Sequence, residues 1–153
     1  MKVKSPSHFK TTFSGAQTVY QSLFHMVFST RYRVRVLTPN VKLKIRNWMK
    51  HQEELLGIKI YIMNGYLDHL HVLVTVPPKV SISQVAHGIK GYSSRMLGKK
   101  FYWQRGYYVK AISKSEFKQT YLYIRDQYFH HLEEKITVEE EIESFEKIGI
   151  IAA

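Results

Sequence analysis

Cysteine is absent from this chain of 153 residues. That excludes a disulfide framework and any thiolate zinc site. No apolar run approaches the roughly 20 residues a membrane-spanning helix needs. The basic N-terminus leads into no signal-like apolar core. Both absences point to a soluble intracellular protein. Acidic residues are scarce as well, 12 Asp and Glu against 23 Lys and Arg, for a net charge of +11. Seven of the acids crowd into residues 133–153, so residues 1–132 set 21 basic side chains against five acids. Such a body calls for a polyanionic partner. Nucleic acid fits better than a membrane surface, because no basic helix with a clean apolar face stands out.

The remaining composition is that of one globular domain, 44% apolar. Residues 1–19 are polar and lack periodicity, and read as a flexible basic leader ahead of a single domain over 20–149. "YQSLFHMVFST" (20–30) predicts a first strand. Residues 38–57 predict a helix from Val41, Ile45, Trp48, Met49, Leu55 and Leu56, stopped by Gly57. Residues 58–66 and 69–76 predict two strands, with the turn at Asn64-Gly65 favoured over Tyr66–Asp68. A second helix is expected over 81–100, capped by Ser81 or Ser83 and weakened by Gly88 and Gly91. A strand follows at 107–112, then a helix over 114–134 capped by Ser115. A last helix at 137–149 opens with a capping box from Thr137 to Glu140. The order β-α-β-β-α-β is the ferredoxin-like, split βαβ pattern of an α+β protein. It implies an antiparallel sheet with helices on one face and the other face open, plus C-terminal helices.

"DHLHVLVTV" holds His69 and His71 two positions apart on a strand, hence on one face, with Leu70, Val72, Val74 and Val76 on the other. Same-face neighbours lie about 7 Å apart, within joint reach of one cation. Two polar residues facing solvent would give the same pattern, and zinc usually wants three or four protein ligands. Asp68 reads either as a turn residue or as an acceptor that orients a ring. On the third helix Tyr123 and Gln127 share a face, apart from the apolar stripe Phe117, Tyr121, Ile124 and Tyr128. With 11 tyrosines in the chain, composition does not single out Tyr123.

Taken together in order, "FHMVFSTRYR", "DHLHVLV", "HGIKGYSSRM", "YWQRGYYVKAIS" and "YIRDQYFHH" resemble the HUH-class single-tyrosine transposases. These are the small transposases of single-strand insertion sequences and the related REP-associated tyrosine transposases. The resemblance runs from about Tyr20 to about His131. It implies that His69, His71 and Gln127 bind a divalent metal, magnesium or manganese, and that Tyr123 is the nucleophile. It also implies a homodimer of the prokaryotic cytoplasm, associated with the nucleoid, that cuts and rejoins single-stranded DNA beside hairpin ends. The tyrosine helix would dock on its own subunit or on the partner.

The chemistry agrees with those roles. A phenol with a free pKa near about 10 is a poor nucleophile at neutral pH, and a nearby cation eases its ionisation. Attack on phosphorus would leave a 5′-phosphotyrosine that conserves the bond, so rejoining needs no nucleotide cofactor. His131 is a candidate base. Arg31, Arg33 and Arg35, with Lys90, Ser93, Ser94 and Arg95, are the expected DNA contacts, while Trp103 reads as a packing anchor. A domesticated hairpin endonuclease belongs to the same class. A non-catalytic RRM-like module would carry stacking aromatics where His69 and His71 stand. A two-histidine phosphoesterase would need two His-x-Thr/Ser pairs, which this chain lacks.

Overall fold

A computed structural model describes residues 9–15, 17–98 and 103–127. Two short strands, β1 (Phe13–Ser14) and β2 (Val19–Tyr20), pair as a ribbon ahead of the main body. Residues 9–15 and 17–19 of the expected leader thus lie among the described residues. Phe9 packs against Tyr61, Phe117 and Tyr121, and the Tyr61 hydroxyl donates to the Lys10 carbonyl at 2.6 Å.

The body runs β3 (Leu23–Ser29), α1 (Pro39–Leu56), β4 (Lys59–Gly65), β5 (His69–Thr75), α2 (Ile82–Leu97), β6 (Tyr108–Ile112) and α3 (Phe117–Arg125). The sheet order is β4-β5-β3-β6, antiparallel throughout. This is the expected ferredoxin-like α+β arrangement, with β3 and β5 at the centre.

Helices α1 and α2 each begin where a side chain accepts from one of the first free amides. The Thr38 hydroxyl accepts from Val41 N at 3.3 Å, and Gly57 ends α1 in a left-handed conformation (φ 68°) that glycine adopts without strain. Ser81 and Gln84 form a capping box for α2, which runs through both glycines. At Gly88 a side chain would press on Gln52 of α1. Trp48 stacks on Tyr92 at 4.3 Å and 11°, fixing α1 to α2. Ser113, not Ser115, opens the third helical segment: its N–H and hydroxyl donate to Glu116 across a 3-10 turn before α3.

Strand alternation divides the interior in two. Met26, Phe28, Leu70, Val72 and Val74 meet Ile45, Met49, Val85 and Ile89 of α1 and α2 on one face. On the other face Leu23, Ile62, Leu73 and Ile112 pack against Phe117, Tyr121 and Ile124 of α3. The face expected to be open is thus covered, because α3 carries an apolar stripe that is stable only when buried. Leu55, assigned to the apolar stripe of α1, lies outside the core at 77% exposure.

The turn between β4 and β5 is Tyr66–Asp68, closed by Tyr66 N donating to His69 O at 3.1 Å. Asn64 and Gly65 instead belong to the ladder, opposite His71 and Leu70. Gly65 is required there by close approach: a Cβ would fall 2.1 Å from the His69 carbonyl oxygen. The expected helix at 137–149, and the third helix beyond Gln127, lie outside the described residues.

Candidate metal and nucleophile site

β5 places His69 and His71 beneath α3, both with no exposed surface. Their rings meet edge to face at 5.2 Å and 76°. Two residues past the end of α3, Gln127 is equally buried, and its Oε1 lies 3.3 Å from His69 Nε2. Its Nε2 donates to the Tyr123 carbonyl at 3.2 Å. The half-buried Tyr123 ring sits edge-on to His71, 5.9 Å between centroids. The four side chains singled out in the sequence are therefore neighbours within one chain. Asn64 on β4 holds the arrangement, its amide donating to the carbonyls of Ile124 at 3.2 Å and Arg125 at 3.0 Å.

Both imidazoles are oriented through Nδ1. His69 Nδ1 is 2.8 Å from Asp68 Oδ1, and Asp68 Oδ2 accepts from Arg33 Nε at 3.0 Å. Burial alone would raise the Asp68 carboxyl. The hydrogen bonds to His69 and Arg33, with the charge of Arg33, outweigh it and lower the carboxyl to about 2. An ionised carboxylate only accepts, so His69 Nδ1 carries a proton. Asp68 thus takes the ring-orienting role and is not merely a turn residue. His71 Nδ1 is 2.8 Å from Nε2 of His25 on β3, a buried residue that the sequence pattern did not single out. The available signal was alternation: Leu23, His25 and Val27 share a face opposite Phe24, Met26 and Phe28.

The donor chemistry fits a divalent cation. With His69 protonated at Nδ1 and neutral, its Nε2 lone pair faces Gln127 Oε1, acceptor against acceptor. Rotating the carboxamide would forfeit the bond to Tyr123. A positive charge makes the contact attractive, either as a second proton on the ring or as an ion between the two atoms. Two ligands each about 2.1 Å from one ion stand roughly 3.0–3.4 Å apart at octahedral or tetrahedral angles, and the observed separation is 3.3 Å. No three His, Cys, Asp or Glu side chains among the described residues are grouped to hold a metal. An ion here would rest on two imidazoles, one carboxamide and oxygens of water or substrate.

The candidate DNA contacts divide. Arg31 and Arg35 are exposed, each with its guanidinium by an aromatic ring, Tyr32 at 5.0 Å and Tyr66 at 5.9 Å. Tyr32 is 82% exposed, and Tyr32 and Arg33 both hold positive φ (59° and 56°), a strained conformation for side-chain-bearing residues. Arg33 is bonded to Asp68 and bridges this segment to the histidine site. Ser93 departs from expectation. It is fully buried, its hydroxyl donating to Ile89 O and accepting from Trp103 Nε1, both at 2.6 Å. It anchors Trp103 and does not face DNA. Lys90 donates to the carbonyls of Gly106 at 2.7 Å and Gln104 at 3.3 Å, and desolvation lowers its pKa. Ser94 is half-buried and Arg95 exposed, so these four do not form one DNA-facing row. His131 lies outside the described residues.

The chain thus presents a four-stranded ferredoxin-like sheet with a histidine pair under a tyrosine-bearing helix. The model of the family described as transposase IS200 like matches residues 18–127, and the chain belongs to that family of transposases. It is 30% identical over 132 residues to the transposase for insertion sequence element IS200 of Salmonella typhimurium, covering 79% of this chain and 84% of the relative. It is 25% identical over 125 residues to the ISDra2 transposase TnpA of Deinococcus radiodurans, covering 74% and 89%. Two solved structures share the fold. A transposase from Deinococcus radiodurans R1 superposes with a TM-score of 0.59 at 23% identity, over 76% of this chain and 98% of that one. A REP-associated tyrosine transposase bound to a REP hairpin gives 0.59 at 18% identity, over 79% and 74%. No described helix is long and apolar enough to cross a membrane.

Proposed function

We propose that this transposase cleaves and rejoins single-stranded DNA at hairpin-flanked ends, with Tyr123 as nucleophile and a divalent metal, magnesium or manganese, held by His69, His71 and Gln127. The observation that carries the reading is the gathering of these four side chains under α3, with His69 Nε2 facing Gln127 Oε1 at 3.3 Å. The ion would supply positive charge beside the scissile phosphate and the phenolic oxygen.

The protein's own part is positioning. Asp68 holds the His69 ring, and the buried sheet face excludes bulk water from the imidazoles. The Gln127 amide ties its side chain to the Tyr123 backbone, so ligand and nucleophile move together. The Tyr123 oxygen attacks phosphorus, the bond to the leaving 3′ oxygen breaks, and a 5′-phosphotyrosine forms. Attack by an incoming 3′-hydroxyl reverses the step and releases the phenol. Arg31 and Arg35 neutralise backbone phosphates. A homodimer in this reaction brings two DNA ends together. The hairpin in the complex of the REP-associated relative favours hairpin DNA as the substrate.

The test is incubation with single-stranded hairpin DNA and magnesium or manganese. A covalent protein–DNA adduct forms with the native chain and is lost in Tyr123→Phe. An adduct that persists in Tyr123→Phe removes Tyr123 from the role. Adduct formation unaffected by chelation removes the metal.

A further inference from the structure

We infer that His25 is a positioning residue for this site, holding His71 in the one tautomer that can ligate a cation; the inference rests on the metal-binding reading above. His25 lies on β3 beside β5, where the register sets Val27 against His71 and His25 against Leu73. Its side chain is 1% exposed. The two rings stack at 5.1 Å and 18°, and His25 Nε2 lies 2.8 Å from His71 Nδ1. Tyr108 of β6 stands edge-on to His25 at 6.2 Å and confines the ring from the opposite side.

At 2.8 Å two imidazole nitrogens share one proton, which leaves two arrangements of the neutral pair. If His25 donates, His71 accepts at Nδ1 and must carry its own proton on Nε2, where it blocks coordination. If His71 donates from Nδ1, its Nε2 keeps the lone pair that a metal needs, and His25 receives the bond as the Nδ1–H tautomer. Only the second arrangement is compatible with a bound ion. His25 then does for His71 what the Asp68 carboxylate does for His69. The two supports differ, because one is an anion and the other a neutral ring. His69 is therefore the more electron-rich ligand and His71 the weaker.

The geometry also sets what can replace His25. Glutamine offers a carbonyl oxygen to accept from His71 Nδ1, whereas leucine offers nothing and leaves a buried donor unsatisfied. The experiment is manganese binding without DNA, by calorimetry, to the native chain, His25→Leu and His25→Gln. Loss of an outer-shell partner typically weakens metal binding about 10–100-fold, which is the loss expected of His25→Leu, with most of the affinity recovered in His25→Gln. A second reading does not depend on either variant folding. In the magnesium-loaded native protein, histidine nitrogen–proton correlation spectra place the His71 proton on Nδ1. Native affinity in a folded His25→Leu, or a His71 proton on Nε2 with magnesium bound, overturns the inference alone. If the native chain binds neither ion, the metal reading itself falls and takes the inference with it.

Discussion

His69 Nε2 and Gln127 Oε1 face one another at 3.3 Å across 58 residues of sequence, in a space closed to solvent at both ends. Because Asp68 holds a ring proton on the opposite nitrogen, the contact gains from a positive charge, either a second ring proton or a cation. Gln127→Ala removes one side of the contact. Manganese affinity measured by calorimetry should fall about tenfold or more, at least the scale of outer-shell losses. Unchanged affinity would take Gln127 out of the ligand set.

Asn64 determines where Gln127 sits. Its amide serves two carbonyls at the end of α3, Ile124 and Arg125, from the edge strand β4. Asn64→Ala should cost about 0.5–1.5 kcal/mol for each bond lost. The loss should appear locally, as faster amide exchange in α3 than in β3 and β5. Cleavage should slow while hairpin binding holds. Uniform exchange across the fold would contradict this account of α3 docking.

Asp68 gives the fold an acid-sensitive contribution of known sign. Its carboxyl is depressed to about 2 in the folded chain, below the unfolded value of about 3.9. The stabilisation is complete above the unfolded value and is lost as pH falls through the folded one. The melting difference between the native chain and Asp68→Asn should be constant near neutrality and shrink between pH 4 and 2. A difference that grows on acidification would show that Asp68 does not rest on Arg33 and His69.

The basic candidates divide in the same way their environments do. Arg31→Ala and Arg35→Ala should each weaken binding of single-stranded DNA and reduce the slope of log affinity against log salt by up to about one. Ser93→Ala should leave that slope alone. It should instead lower stability by about 1–3 kcal/mol, because the Trp103 indole N–H loses its buried acceptor. A changed salt slope in Ser93→Ala would return it to the DNA surface.

Short-range physics made much of this protein legible in its sequence. Strand alternation placed His69 and His71 on one face, helical spacing put Tyr123 and Gln127 on another, and the order of elements prescribed the sheet. Each depends only on the chain's own periodicity. The turn at Tyr66–Asp68 escaped because Gly65 serves a close strand approach, which looks the same in sequence as a glycine serving a turn. Ser93 escaped because it is itself polar although it continues the apolar stripe of Val85, Ile89 and Met96, while its partner Trp103 arrives from a separate segment.

What only the tertiary structure decided is which face α3 covers and what stands behind each imidazole. His25 is 46 residues from His71, and Arg33 is 35 from Asp68. Pairings at such separation are set by strand register and by the burial of apolar faces, not by any local repeat. Alternation by itself determined that two histidines share a face. Register and the docking of α3 turned that face into an enclosed site, because a covered sheet must satisfy each buried nitrogen from a neighbouring strand or helix.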